Sequence, residues 1–305
     1  MYFLCKNQDE FEEKKKIVTN ILSYLKPKET EENLYLIKNK LGNPFGAIWC
    51  LSLEYEAKAT KNWLENKNNK DFKQNCYIAG KLNLLHESRS DWGYSGTNIG
   101  NFFKILMSDN KDLINYLVQN IDIICYESKP NYYKGMSSNL FLNKTTLLAL
   151  KGEWEKVKER SKIFLNDIPK DMKKRISDFE FFLGLAEGNT EKMKIALEKL
   201  LIPKNAKIAA YDTEAYFDFY LQVQVLMYGK IASIHGYDLG IDHELAPKEL
   251  IKYAPLSEEE YKDPYDFMKE FDYDLPQIEW IKKYFIKEEK NRTLNKILEK
   301  IKLYL

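Results

Sequence analysis

The sequence predicts an all-α protein, an irregular multi-helix bundle whose C-terminal half is built from αα-hairpins. Apolar residues recur at helical spacing along nearly the whole chain, and no segment sustains a two-residue alternation. From residue 138 onward, glycine turns separate apolar helices from charged amphipathic helices that fold back on them. At 305 residues the chain is long enough to bury a sizeable core. We read residues 1–305 as one continuous helical unit, subdivided into a less regular N-terminal part, 1–137, and a hairpin-rich part, 138–305.

The first helix is carried by "FEEKKKIVTNILSYL", where Phe11, Ile17, Val18, Ile21, Leu22 and Leu25 form a stripe that Pro27 ends. Thr30 then precedes "EENLYLIKNKL", with acids in the first turn, where the helix dipole favours them. After Pro44 come "FGAIWCLSLEYEAKATKNWL" and "FKQNCYIAGKLNLLHES", both helical in pattern. Residues 89–103, "RSDWGYSGTNIGNFF", are turn-rich. The spacing of Gly93, Gly96 and Gly100 matches neither a Walker loop nor a dinucleotide fingerprint, so this reads as a connecting loop before a helix near Asn101.

In the second half, "NLFLNKTTLLALKGEWEKVKERSKIFL" turns at Gly152, and "ISDFEFFLGLAEGNTEKMKIALEKLL" turns at Gly188–Asn189. The two glycines stand 36 residues apart, near the ~34-residue tetratricopeptide period. Residues 211–236, "YDTEAYFDFYLQVQVLMYGKIASIHG", are expected to form a long, largely buried central helix. "APKELIKY" suggests a short helix with Pro247 in its first turn. "SEEEYKDPYDFMKEF" opens with Ser257 and Glu260 in capping-box spacing. "LPQIEWIKKYFIKEEKNRTLNKILEKIKLYL" reads as two closing amphipathic helices.

Composition narrows the function. The net charge of +1 gives no global field toward nucleic acid or anionic lipid. No apolar run approaches the ~20 residues of a membrane helix. Arginine occurs only at Arg89, Arg160, Arg175 and Arg292, which disfavours dedicated bidentate recognition of phosphate. The opening "MYFLCKNQDEFEEKKK" lacks the ~7–15-residue apolar region of a signal peptide, so the expectation is a cytoplasmic protein. Cys5, Cys50, Cys76 and Cys125 are widely spread without a CxxC, and are expected to be reduced thiols.

The stretch "SIHGYDLGIDHELAPKEL", residues 233–250, gathers His235 and His243 with Asp238, Asp242 and Glu244. A zincin helix places two histidines four residues apart around a glutamate. Here they are eight apart across Gly236 and Gly240. With His86, from "LLHESRSDW", they support a metal-dependent hydrolase only as a third reading. In the simpler reading Gly236 ends the central helix, His235 complements that helix's dipole, and Asp242 precedes the Pro247-led helix. There is no GxSxG elbow, and no cysteine sits beside a turn that would favour its thiolate. No catalytic residue, cofactor or metal is expected.

From residue 179 to 251 the order of features is an apolar helix, a small-Gly-polar turn, an Ala-Leu amphipathic helix, a long aliphatic helix and "GYDLGIDHELAPKELI". This order resembles the C-terminal half of the immunity protein 49 family of bacterial polymorphic-toxin systems. The matching positions are Leu185, Ala186, Gly188, Ala196, Leu197, Gly236, Asp242, Pro247, Glu249 and Leu250. The resemblance implies a non-enzymatic cytoplasmic protein that binds and neutralises a cognate toxin, and it supplies no catalytic residues.

Charge patterning suggests where a partner would dock. Residues 203–279 hold 16 acids against 7 lysines, leaving the rest of the chain basic. The acids are interleaved with aromatics, which read either as a solvated acidic face or as a docking surface for a basic protein such as a nuclease toxin. The candidate contacts are Tyr211, Asp212, Glu214, Asp218, Glu258, Glu259, Tyr261, Asp263, Tyr265 and Asp266. The resulting expectation is an immunity protein acting by stoichiometric binding. The alternative is a tetratricopeptide-like adaptor that binds peptides or proteins.

Overall fold

The computed structural model describes residues 5–24, 27–87, 100–125, 135, 136, 138–209 and 217–275. Among the described residues every regular element is a helix, and the β pairing found there is an isolated bridge between His243 and Ala246. The fold is all-α.

Helices α1 (Gln8–Tyr24), α2 (Pro27–Asn39), α3 (Pro44–Asn66) and α4 (Asn69–Glu87) open the chain. α2 starts at Pro27 rather than after Thr30. Proline's fixed φ suits the first helical position, so the residue that stops one helix begins the next. Asn43 caps α3 by accepting from the Gly46 N–H. α3 and α4 form the most extensive helix pair, and α1 and α2 pack onto α3. Most of α1's apolar stripe faces inward, but Ile17 remains half exposed.

α5 (Gly100–Ser108) begins one residue before the expected position; Gly93 and Gly96 lie outside the described residues. Asp109 follows in the left-handed region, at φ 56°. Asn110 then caps α6 (Lys111–Gln119), which leads into α7 (Ile121–Ile124).

The two expected hairpins are present. α8 (Asn139–Lys151) turns at Gly152 into α9 (Trp154–Asn166). α10 (Ile176–Ala186) turns through Gly188 and Asn189 into α11 (Thr190–Leu201). Gly152 and Gly188 take φ of 83° and 63°, where a side chain would be strained. The hairpins pack together through α9 and α10. Two hairpins do not by themselves make a tetratricopeptide superhelix.

After α12 (Pro203–Ala209), the central helix is shorter than its sequence pattern. Its start is fixed by Gln222, whose side chain accepts from the Gln224 N–H, so α13 runs only Val223–Ile234. Residues 217–221 form a turn instead, closed by Leu221 N–H on the Phe217 carbonyl. α13 is buried on every side, as its all-round apolar sequence requires, and it packs on α5, α8 and α11. Pro247 sits just before α14 (Lys248–Ile251), outside its first turn. The Ser257–Glu260 capping box forms, but on a 3-10 turn, Glu258–Glu260. Pro264 then breaks the pattern, and the one-turn α15 (Asp266–Lys269) is the last described helix. The two expected closing helices lie outside the described residues.

One apolar cluster runs through these helices from Cys5 to Phe271. Cys5, Cys76 and Cys125 are buried and Cys50 is half-buried. Charged groups are buried with them. Lys104 pairs with Glu56 at 2.7 Å. Asp109 takes both Lys73, at 2.8 Å, and Lys230.

Residues 252–275 form a strap tied to this lattice. Lys230 and Lys73 donate to the carbonyls of Lys252 and Ala254, and the Ala254 N–H returns to Asp109. Further along, Lys262 and Gln74 exchange hydrogen bonds, and Lys81 pairs with Asp263 at 2.7 Å.

Candidate functional site

Between α13 and α14 the chain runs as an irregular loop, 236–247, over the two hairpin turns. The His235 ring edges onto Trp154, with centroids 4.6 Å apart, and its Cε1 lies 3.5 Å from where a Cβ on Gly152 would stand. The Tyr237 hydroxyl lies 3.2 Å from the same position on Gly188. One short stretch therefore closes both hairpins, which explains glycine at each turn twice over: positive φ and a covering side chain.

Two clefts flank the loop. One, of about 370 Å³, is lined by Ser233, Tyr237, Asp238, Lys248, Lys252 and Tyr253, among others. The other, of about 460 Å³, lies between Lys194, Glu198, Ile202 and Pro203 on one side and Gly240–His243 on the other. Ile241 lines both and divides them. Ile202, just past the end of α11, lines the second cleft and is 50% exposed, and Ile195 on α11 is 44% exposed. Each cleft is large enough to seat a side chain.

The three histidines serve three separate local purposes. His86 Nδ1 lies 2.9 Å from the Phe45 carbonyl. His235 Nε2 lies 2.9 Å from the Ala149 carbonyl near the end of α8, and burial holds its pKa below the usual value. It therefore serves as a neutral donor to the end of a different helix, rather than as a cation complementing α13. His243 Nδ1 accepts from the Leu245 N–H. Among the described residues no group of three His, Cys, Asp or Glu side chains could hold a metal ion.

The loop's acids are structural. Asp238 accepts from the Gly240 N–H and pairs with Lys248, and these contacts, the backbone one foremost, lower its pKa. Asp242 accepts from the Lys248 N–H at the start of α14.

The acidic-aromatic candidates divide. Tyr211, Asp212 and Glu214 lie outside the described residues. Asp218 is half-buried. Tyr261 donates to the Ser108 carbonyl and accepts from the Leu256 N–H. Asp263 holds Lys81 and the Tyr77 hydroxyl, and Tyr265 packs edge-on against Tyr55. These three fasten the strap to α3, α4 and the end of α5. Glu258, Glu259 and Asp266 are exposed. Glu260 between them is pinned by Lys70 and its capping box, which lower its pKa to about 2. Ile241 as a septum and Tyr237 as a cover were not legible in the sequence, where both read as ordinary apolar loop residues.

A helical scaffold presenting a turn-built loop between clefts is the class that this geometry defines. Within that class, residues 155–250 match the model of the immunity protein 49 family, a span from α9 through α14 that covers just under a third of the chain. No curated protein and no solved structure matches the chain. The positions that carry the resemblance build the scaffold of the loop. Leu185, Ala196, Leu197 and Leu250 are buried. Gly188 and Gly236 adopt positive φ, Asp242 and Pro247 frame α14, and the Glu249 carbonyl accepts from Asn69.

Proposed function

We propose that this protein confers immunity to a toxin by binding it stoichiometrically in the cytoplasm. The observation that carries the reading is the immunity protein 49 match over residues 155–250, the span that contains α9, the second hairpin and the loop between the clefts. The toxin is a protein with a basic face, such as a nuclease. The exposed carboxylates Glu258, Glu259 and Asp266, standing beside the matched span, meet that face and speed encounter. Tyr211, Asp212 and Glu214 extend the same acidic segment.

The test is co-expression with a toxin encoded beside this chain's gene, reading cell survival. Survival with the wild-type chain and loss of protection in its absence supports the reading; killing despite a well-expressed protein overturns it. For the surface, the triple change Glu258→Lys, Glu259→Lys and Asp266→Lys is expected to slow association and flatten its salt dependence. Asp263 is left intact, because reversing it would loosen the strap. A helical adaptor for peptides is the second reading, favoured by the packing of the two hairpins on each other; peptide binding without toxin protection would select it.

A further inference from the structure

Asp178 lies in the middle of the family-matched span, on α10, completely buried. Its Oδ1 takes two donors, Gln224 Nε2 at 2.9 Å and the Tyr228 hydroxyl at 2.5 Å, both from α13. Its Oδ2 is buried with no partner, and so is Oε1 of the same Gln224. Leaving two buried acceptors without a protein donor is costly. Turning the Gln224 amide over would set its oxygen against Oδ1, another acceptor, so an oxygen would still lack a donor. A hydrogen on Oδ2 turns that orphan into a donor, and Oδ1, as a carbonyl oxygen with two lone pairs, accepts both of its donors.

We propose that Asp178 is a neutral carboxylic acid in the folded protein, its Oδ2–H donated to Gln224 Oε1 in a closed acid–amide pair. The α10–α13 contact is therefore a proton-binding site that fills as the chain folds. Burial raises the Asp178 pKa and is the largest influence on it; Arg175, on the preceding 3-10 turn, is the next and opposes it. The Arg175 Nη1 donates to the Ala209 carbonyl. Of the charges on the other packed helices, Arg160 of α9 is turned to Thr145 and the Phe141 carbonyl. Lys192 and Lys199 of α11 pair outward with Glu187 and Glu180. Tyr228 is the titratable group of α13 at this contact, and it acts as a donor.

The substitution Asp178→Asn tests this directly, because an amide carries its own hydrogens where the acid must bind a proton. A folded-state pKa above the unfolded one means that the native protein holds the extra proton, so wild-type stability falls as pH rises from about 4 to the folded value. Over that window the ratio of the D178N to the wild-type folding constant, from urea titrations, is expected to grow by up to about tenfold per pH unit. An infrared carbonyl band of a protonated carboxyl at neutral pH, absent from D178N, is expected alongside it. A pH-independent ratio, or an infrared spectrum at neutral pH without that band in the wild-type protein, would overturn the assignment. Asp178→Leu, which fills the space without either hydrogen-bonding group, is expected to lie below both.

Discussion

The two sides of the core handle their polar groups in opposite ways. Around α3–α6 and the strap, charge is buried as ions: Glu56 with Lys104, and Asp109 shared by Lys73 and Lys230. Around α8–α11 the interior is largely aromatic, with Phe179 stacked on Phe164 at 3.8 Å and Phe181 on Tyr228 at 5.2 Å. Its buried arginines, Arg160 and Arg175, donate to neutral oxygens, and its buried acid, Asp178, is held by neutral donors. Removing a partner from an ionic lattice strands whatever remains, whereas removing a ring leaves a hole that neighbours can partly fill. The ionic side should therefore fail more sharply when one member is deleted, and the aromatic side more gradually.

The largest effect is expected from Asp109→Ala, which leaves two buried lysines without an anion. A loss of about 3–5 kcal/mol is expected, read as a drop in urea midpoint, with early hydrogen exchange at Lys252–Ala254 as the strap lets go. A loss below about 1 kcal/mol would show that water already reaches the lattice. Phe179→Ala is expected to cost about 3–4 kcal/mol, with faster exchange confined to α8–α11. Spread of that exchange into α3 and α4 would erase the distinction between the two sides.

The smallest test concerns the surplus charge at Asp109. Burial lowers the Lys230 pKa from its usual 10.5 to about 8. Between those values the native protein binds fewer protons than the unfolded chain, so this group makes stability rise with pH. Lys230→Met removes that contribution and leaves Lys73 and Asp109 balanced. The wild-type protein is expected to gain on the variant from pH 8 to 10.5 in paired urea titrations; parallel curves would mean that Lys230 stays charged throughout.

The aromatic side was largely legible in the sequence. Gly152 and Gly188 announced the hairpins, and Gly236, Asp242 and Pro247 carried the family resemblance. These signals are local, a conformation written into a few adjacent residues. The ionic side was not legible, because Lys230 meets Asp109 across 121 positions and Lys73 meets Ala254 across 181. A lysine in an amphipathic pattern reads as solvent-facing, and nothing nearby in sequence signals its distant partner. Tyr261, Asp263 and Tyr265 had the same ambiguity. Acid and aromatic content marked them as potential contacts, while the strap's path turned them toward this protein's own helices. His235 was rightly placed at a helix end, but the helix it serves is α8.

The double claim on Asp109 bears on how the chain is made. Lys73 and Asp109 are synthesised early and can form a balanced pair while the rest is still to come. Lys230 arrives much later and brings the excess charge, and only then do the carbonyls of Lys252 and Ala254 become available to share it. The full set of contacts at Asp109 therefore closes only once Ala254 has been made, 145 positions after the aspartate itself.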